Sequence, residues 1–160
     1  MANICSFKMK IIGDNAENLK TFFEMLTQMG NTWMGRGGES HIIEETHEDK
    51  HIFVIEGWCK WSIKASLILD AIHMREKPEN WTFGRDKNVK EMRFLTLPEA
   101  CKELNLTMEA YSSEPGCEFQ EHVSFIDGEY SEEITHYTEE WDDEEGDFVS
   151  TGGFKWVFNI

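Results

Sequence analysis

Residues Met108–Tyr137 read MEAYSSEPGCEFQEHVSFIDGEYSEEITHY, and two turns inside them decide the fold. Glu114-Pro115-Gly116-Cys117 is the first. Proline presets φ at about −65° and glycine accepts φ > 0, which is what a type II turn asks of its two central residues. Asp127-Gly128 is the second, and Asp-Gly between β-rich runs is a strong hairpin signal. Alternation runs into the first turn (Met108, Ala110, Ser112) and out of it (Phe119, Glu121, Val123, Phe125). The pattern predicts a three-stranded antiparallel meander. Around a two-residue loop, Phe125 then opposes Tyr130 and His122 opposes Glu133.

The preceding chain alternates strands and helices. Cys5, Phe7, Met9 and Ile11 share one face of a strand over Asn3–Ile12, with Ser6, Lys8 and Lys10 on the other. Gly13 ends it. Asp14, with Glu17 three residues on, reads as the capping box of a helix carrying Ala16, Leu19, Phe22, Phe23, Leu26 and Met29, closed by Gly30. Asn31–Ser40, with Gly35-Arg36-Gly37-Gly38, reads as a flexible connector. It lacks the Lys-Ser/Thr that opens a helix after a phosphate-binding loop. His41–Glu45 and His51–Cys59 form a hairpin around Glu48-Asp49, and the apolar run Ile52–Ile55 predicts a strand covered on both faces. Ser62 caps a helix through Ala65, Leu67, Ile68, Leu69, Ala71 and Ile72, which packs on the same sheet face as the first helix and stops at Pro78.

Lys77–Arg93 is irregular. Its aromatics, Trp81 and Phe83, read as pinning an insertion to the core, and its cations (Arg85, Lys87, Lys90, Arg93) as answering the acidic end. Thr96-Leu97-Pro98-Glu99 is a second capping box, opening a short helix. Beyond the meander, residues 139–153 read as an acidic, mobile loop, and Phe154, Trp156, Phe158 and Ile160 line one face of a final docked strand.

The chain of 160 residues, 40% hydrophobic, suits one domain over 1–160 with a substantial core. The scattered cysteines (Cys5, Cys59, Cys101, Cys117) read as small buried hydrophobes, with Cys117 packed behind its turn. Met1–Lys10 lacks the apolar region of a signal peptide, so the location expected is cytoplasmic, and no run reaches the length of a membrane span. The net charge of −16 is unevenly spread. Glu103–Ile160 holds 16 acidic residues and one basic residue, Lys155, whereas Lys60–Lys102 holds nine basic and six acidic. A surface so charged repels nucleic acid and anionic membranes and attracts basic partners.

Asn3 before a strand ending at Gly13, Trp58 and Trp61-Ser62 leading into a helix, and Tyr111 with Glu114-Pro115-Gly116 and Phe119 together resemble the YubB ferredoxin-like family of plasmids and phages. The likeness reaches to about Tyr137. Members often carry a Pro-Pro pair after the Trp-Ser, where this chain has Ile63-Lys64. The resemblance implies a ferredoxin-like fold and a mobile-element origin, and brings no catalytic residues. The expected architecture is therefore α+β, a ferredoxin-like antiparallel sheet with helices on one face and an additional C-terminal β-meander.

Several patterns bear on chemistry. His47 and His51, among Glu44, Glu45, Glu48 and Asp49, have a spacing that ligates metal on a helix, but on a hairpin they read as solvated histidines. Cys117 and His122 lack the third group of a nucleophile–base system. Asp142–Asp147 lacks the glycine and closing glutamate positions of an EF-hand loop. Trp58 and Trp61, at a strand–helix corner, read as core. The function expected is non-catalytic binding, without cofactor or metal. A basic protein surface, in the sharper version that of a nucleic-acid-binding host protein such as a defence nuclease, meets Glu132, Glu133, Glu139, Glu140, Trp141, Asp142, Asp143, Glu144, Glu145 and Asp147. Two alternatives are a small metal-assisted enzyme built on the His/carboxylate clusters and a module that self-associates through its basic middle and acidic end.

Overall fold

A computed structural model describes residues 3–28, 32–34, 42–47, 49–77, 95–144 and 146–160. Within them the chain is α+β: strands β1 (Ile4–Gly13), β2 (Thr32–Met34), β3 (Ile42–His47), β4 (Lys50–Lys60), β5 (Leu106–Glu114), β6 (Phe119–Ile126), β7 (Glu129–Asp142) and β8 (Asp147–Gly152), with helices α1 (Ala16–Gln28), α2 (Asp70–Glu76) and α3 (Leu97–Glu103). The antiparallel sheet runs β2–β4–β1–β5–β6–β7–β8, and β3 also pairs with β4. The connector expected at Asn31–Ser40 thus contributes a strand, because Thr32–Met34 pair with Gly57–Cys59 beyond the point where β3 leaves off.

β1 is the spine. Its odd-numbered side chains Cys5, Phe7, Met9 and Ile11 are buried, and they share one core with Leu19, Phe22 and Leu26 of α1, Leu67, Ala71 and Met74 of the second helix, and Leu97 and Ala100 of α3. All three helices therefore cover the same face. β4 is central, yet it alternates buried Phe53 and Ile55 with half-buried Ile52 and Val54. Its apolar run reflects one deep face and one partly covered face, rather than two deep ones. Trp58 and Trp61 are 40% and 52% exposed, so the corner they mark lies at the surface and not in the core.

Local chemistry sets the helix starts. Asn15, not Asp14, caps α1: its side-chain oxygen accepts from Glu17 N at 2.8 Å, while Asp14 pairs with Lys50. Ser62 Oγ accepts from Ala65 N, and the helix it opens passes through a π-helical turn at Ala65–Leu69 before α2. Thr96 and Glu99 complete the expected capping box, with Pro98 in the first turn. The helix end at Gly30, the stop at Pro78, the glycine-rich connector residues 35–41, Glu48 and the basic–aromatic segment with Trp81, Phe83, Arg85, Lys87, Lys90 and Arg93 lie outside the described residues.

The meander forms in the expected register, Phe125 against Tyr130 and His122 against Glu133. Asp127 and Gly128 both have positive φ, the type I′ signature. The first turn departs from expectation. Glu118 (φ 52°), not Gly116, takes the left-handed conformation. Gly116 instead sits in close quarters, since a Cβ there would lie 2.8 Å from Glu114 Oε1 and 3.3 Å from Asn3 Nδ2, so those side-chain ends would have to shift to admit one. Cys117 is exposed at this turn and accepts a bond from Asn3; Cys5, Cys59 and Cys101 are buried thiols, and burial pushes Cys101 up to about 12.

Residues 154–160 dock, but not as a strand. They lie across the helix-free face of the sheet, turning at Lys155–Val157, where Val157 N donates to the Lys155 carbonyl, and are held to the sheet mainly through side chains. Tyr111 stands among Phe154, Trp156 and Phe158, with ring centroids 5.8–6.3 Å away. Gln120 accepts from Phe154 N, and Tyr111 donates to the Val157 carbonyl.

Candidate interaction surface

The acidic residues of the C-terminal third do different work according to where the sheet puts them. Glu121, on the helix-covered face and 2% exposed, accepts from Ile63 N at 2.7 Å and from Ser112 Oγ at 2.9 Å, so a sheet carboxylate closes the start of a helix. Glu109 points to the opposite face and is 1% exposed. It accepts from Asn159 N, Asn159 Nδ2, Ile160 N and the Tyr111 hydroxyl, and bonds His122 Nε2 at 2.8 Å. Burial opposes its ionisation, but the bonds from Asn159, His122 and Tyr111 outweigh burial and hold its carboxyl below the usual value. Sequence reasoning missed this group, although Glu109 and Tyr111 alternate on β5 as the docking aromatics do on the tail.

The described members of the expected surface lie on β7, at Asp147 of β8 and, for Asp143 and Glu144, in the turn between them. Aromatic and β-branched residues (Tyr130, Ile134, Thr135, Tyr137, Thr138, Trp141) make a strand of fourteen residues despite its charge. Glu129–His136 pair with β6, and Tyr137–Asp142 pair with β8, Trp141 facing Phe148 and Asp142 facing Asp147. So most of residues 139–153 form a β-hairpin rather than a mobile loop. Asp142 Oδ1 accepts from Glu144 N, and the Asp142 carbonyl accepts from Gly146 N, closing the turn. Trp141 Nε1 donates to Asp143 Oδ1, and Thr138 meets Thr151 hydroxyl to hydroxyl at 2.7 Å.

This hairpin brings Glu139, Glu140, Trp141, Asp142, Asp143, Glu144 and Asp147 together; Trp141 is 55% exposed and Asp142 half-buried. Glu145 lies outside the described residues. Glu132 and Glu133 stand apart, on the part of β7 that pairs with β6. Glu132 is tied to Lys64 and Tyr130; the Lys64 contact chiefly, against burial, lowers its carboxyl. Glu133 is exposed opposite His122. Two clefts, of about 450 and 390 Å³, lie away from the hairpin, lined by residues such as Gly13, Asn105 and Gly128 in the first and Lys8, Trp58 and Trp156 in the second.

β3 sets Thr46 against His51 and His47 against Lys50, so the histidines occupy adjacent rungs, which belong to opposite faces of the sheet. Among the described residues no group of three His, Cys, Asp or Glu is placed to hold a metal. His122 bonds Glu109 while Cys117 bonds Asn3, so they serve separate networks. Among the described residues no helix is long and apolar enough to cross a membrane. No protein-family model, curated protein or solved structure matches this chain.

Proposed function

We propose that this chain is a non-catalytic binding protein whose acidic C-terminal end docks on a basic surface of another protein. The observation that carries the reading is the β7–β8 hairpin. It presents Glu139, Glu140, Asp143 and Glu144 exposed on an ordered two-stranded support, in the third of the chain where Lys155 is the only basic residue. A fixed array of one sign steers an oppositely charged partner and raises its association rate.

The sheet order β3–β4–β1–β5, with α1 between β1 and β3 and two helices between β4 and β5, supports a ferredoxin-like first half. That half, together with the YubB resemblance, favours a cytoplasmic protein of phage or plasmid origin. A host nucleic-acid-binding protein, such as a defence nuclease, is then the partner class, with carboxylates standing in for phosphates.

Association of the full chain with a basic nucleic-acid-binding protein tests this. Its on-rate is expected to fall at least tenfold from low to moderate salt, on the scale of electrostatic steering, and duplex DNA is expected to compete. Replacing Glu139, Glu140, Asp143 and Glu144 by their amides is expected to remove most of the salt dependence. Binding indifferent to both salt and these changes rules the proposal out.

A further inference from the structure

β7 changes partners part-way along. Glu129–His136 pair with β6 through an unbroken register, Ile126 against Glu129 to Phe119 against His136. β8 pairs only with Tyr137–Asp142. Among the described residues, the outer edge of Glu129–His136 therefore has no partner strand, and its alternate N–H and C=O groups point outward. Exposed edges of this kind are usually blunted by short length, bulges, proline or charge. This one has eight paired residues, no bulge in its ladder and no proline. What guards it is charge: Glu129 and Glu133 on one face, and on the other Glu132, which is paired with Lys64.

That guard discriminates between occupants. A second copy of the same edge brings carboxylates opposite carboxylates, which destabilises cross-strand pairing. An extended segment carrying lysine or arginine meets the opposite sign. Register sets which residues it faces. Glu129, Ser131 and Glu133 share the face of His122, while Tyr130, Glu132 and Ile134 share the face of Val123. Glu132 is already bonded to Lys64 and Tyr130, and Ile134 is 52% exposed, so the second face offers mostly an apolar contact.

We propose that the Glu129–His136 edge of β7 accepts an extended segment of a partner protein as an added strand. The segment alternates basic residues, toward Glu129 and Glu133, with apolar residues, toward Tyr130 and Ile134. The inference rests on the acidic-surface reading above and gives it a geometry: main-chain pairing supplies affinity, and alternate side chains supply selectivity.

The test uses the full chain and a labelled nonapeptide of alternating arginine and valine, read by fluorescence anisotropy. A companion peptide carries N-methyl groups on its central amides, which keeps the charge and removes strand pairing. Binding at least tenfold weaker for the methylated peptide, with slowed amide exchange at residues 129–136 on adding the parent peptide, is the expected result. Equal binding of both peptides overturns edge pairing and leaves the acidic surface standing. Binding of neither at low salt overturns both. Exchanging Glu129 and Glu133 for lysine, at exposed positions, is expected to weaken the arginine–valine peptide at least tenfold and to admit a glutamate–valine peptide; no such reversal counts against the edge.

Discussion

Glu121 and Glu140 are the same residue type on neighbouring parts of one sheet, and they live in opposite physical regimes. Glu121 is enclosed, with two buried donors aimed at it. Glu140 is exposed on a ribbon that also carries Glu139, Asp142, Asp143, Glu144 and Asp147. Water screens the second and not the first, so a buried carboxylate acts through hydrogen bonds at fixed geometry, while an exposed one acts through a field shared with its neighbours. The concentration of acidic residues in the last third is therefore not all surface. Glu109, Glu114 and Glu121 are spent inside the fold.

The contrast is most sharply tested at Glu121. Replacing it by alanine strands the Ile63 amide and the Ser112 hydroxyl without an acceptor, and unsatisfied buried donors cost about 1–3 kcal/mol each. A loss of about 2–5 kcal/mol in urea denaturation is expected, with Gln, which keeps one acceptor, in between. A change as small as that of an exposed glutamate would erase the distinction between the two classes.

Glu109 comes next, because it fastens the tail rather than the core. Glu109→Ala is expected to cost about 1–3 kcal/mol and to speed amide exchange at Asn159 and Ile160. Its pH dependence has a definite sign. The folded carboxyl titrates below the ordinary value, so its stabilisation is complete above the unfolded value of about 4.3 and disappears as pH falls through the depressed folded value. Exchange at Asn159 should therefore rise only in that acid window, and Glu109→Gln should flatten the response there. The Lys64–Glu132 pair belongs to the exposed class. Lys64→Met is expected to shift stability by at most about 1 kcal/mol, less in high salt.

What the sequence disclosed follows from how local each signal is. β1 and the β5–β6–β7 meander were legible because alternation and the Asp127-Gly128 loop fix both the strand and its register within a few residues. The role of Glu109 was not, because its main-chain partners Asn159 and Ile160 are 50 and 51 residues away, and nothing near Glu109 announces them. The hairpin was hidden for a different reason. Its carboxylates read as a solvated loop, yet a two-stranded ribbon leaves both faces largely to solvent, so charge there does not oppose strand formation. Tyr137, Thr138, Trp141 and Val149 provide the β preference. At the first turn, Gly116 looked like the left-handed residue, but Glu118 takes that conformation, and Gly116 lies close against the Glu114 and Asn3 side chains.

The smallest structural effect is expected where the largest functional one is. Glu139→Gln with Glu140→Gln removes two charges from the hairpin while keeping the length and most of the hydrogen-bonding capacity of each side chain. Both residues are exposed, and surface changes of this kind move stability by about 0.5 kcal/mol or less in either direction. Relief of repulsion along a ribbon that also carries Asp142, Asp143, Glu144 and Asp147 biases the shift toward stabilisation, and salt, which screens the same repulsion, should reduce the gain. Urea midpoints at low and high ionic strength measure this directly. A loss exceeding about 1 kcal/mol would mean that these carboxylates hold the fold together as Glu121 does, and the division between buried and displayed acid groups would then fail at its exposed end.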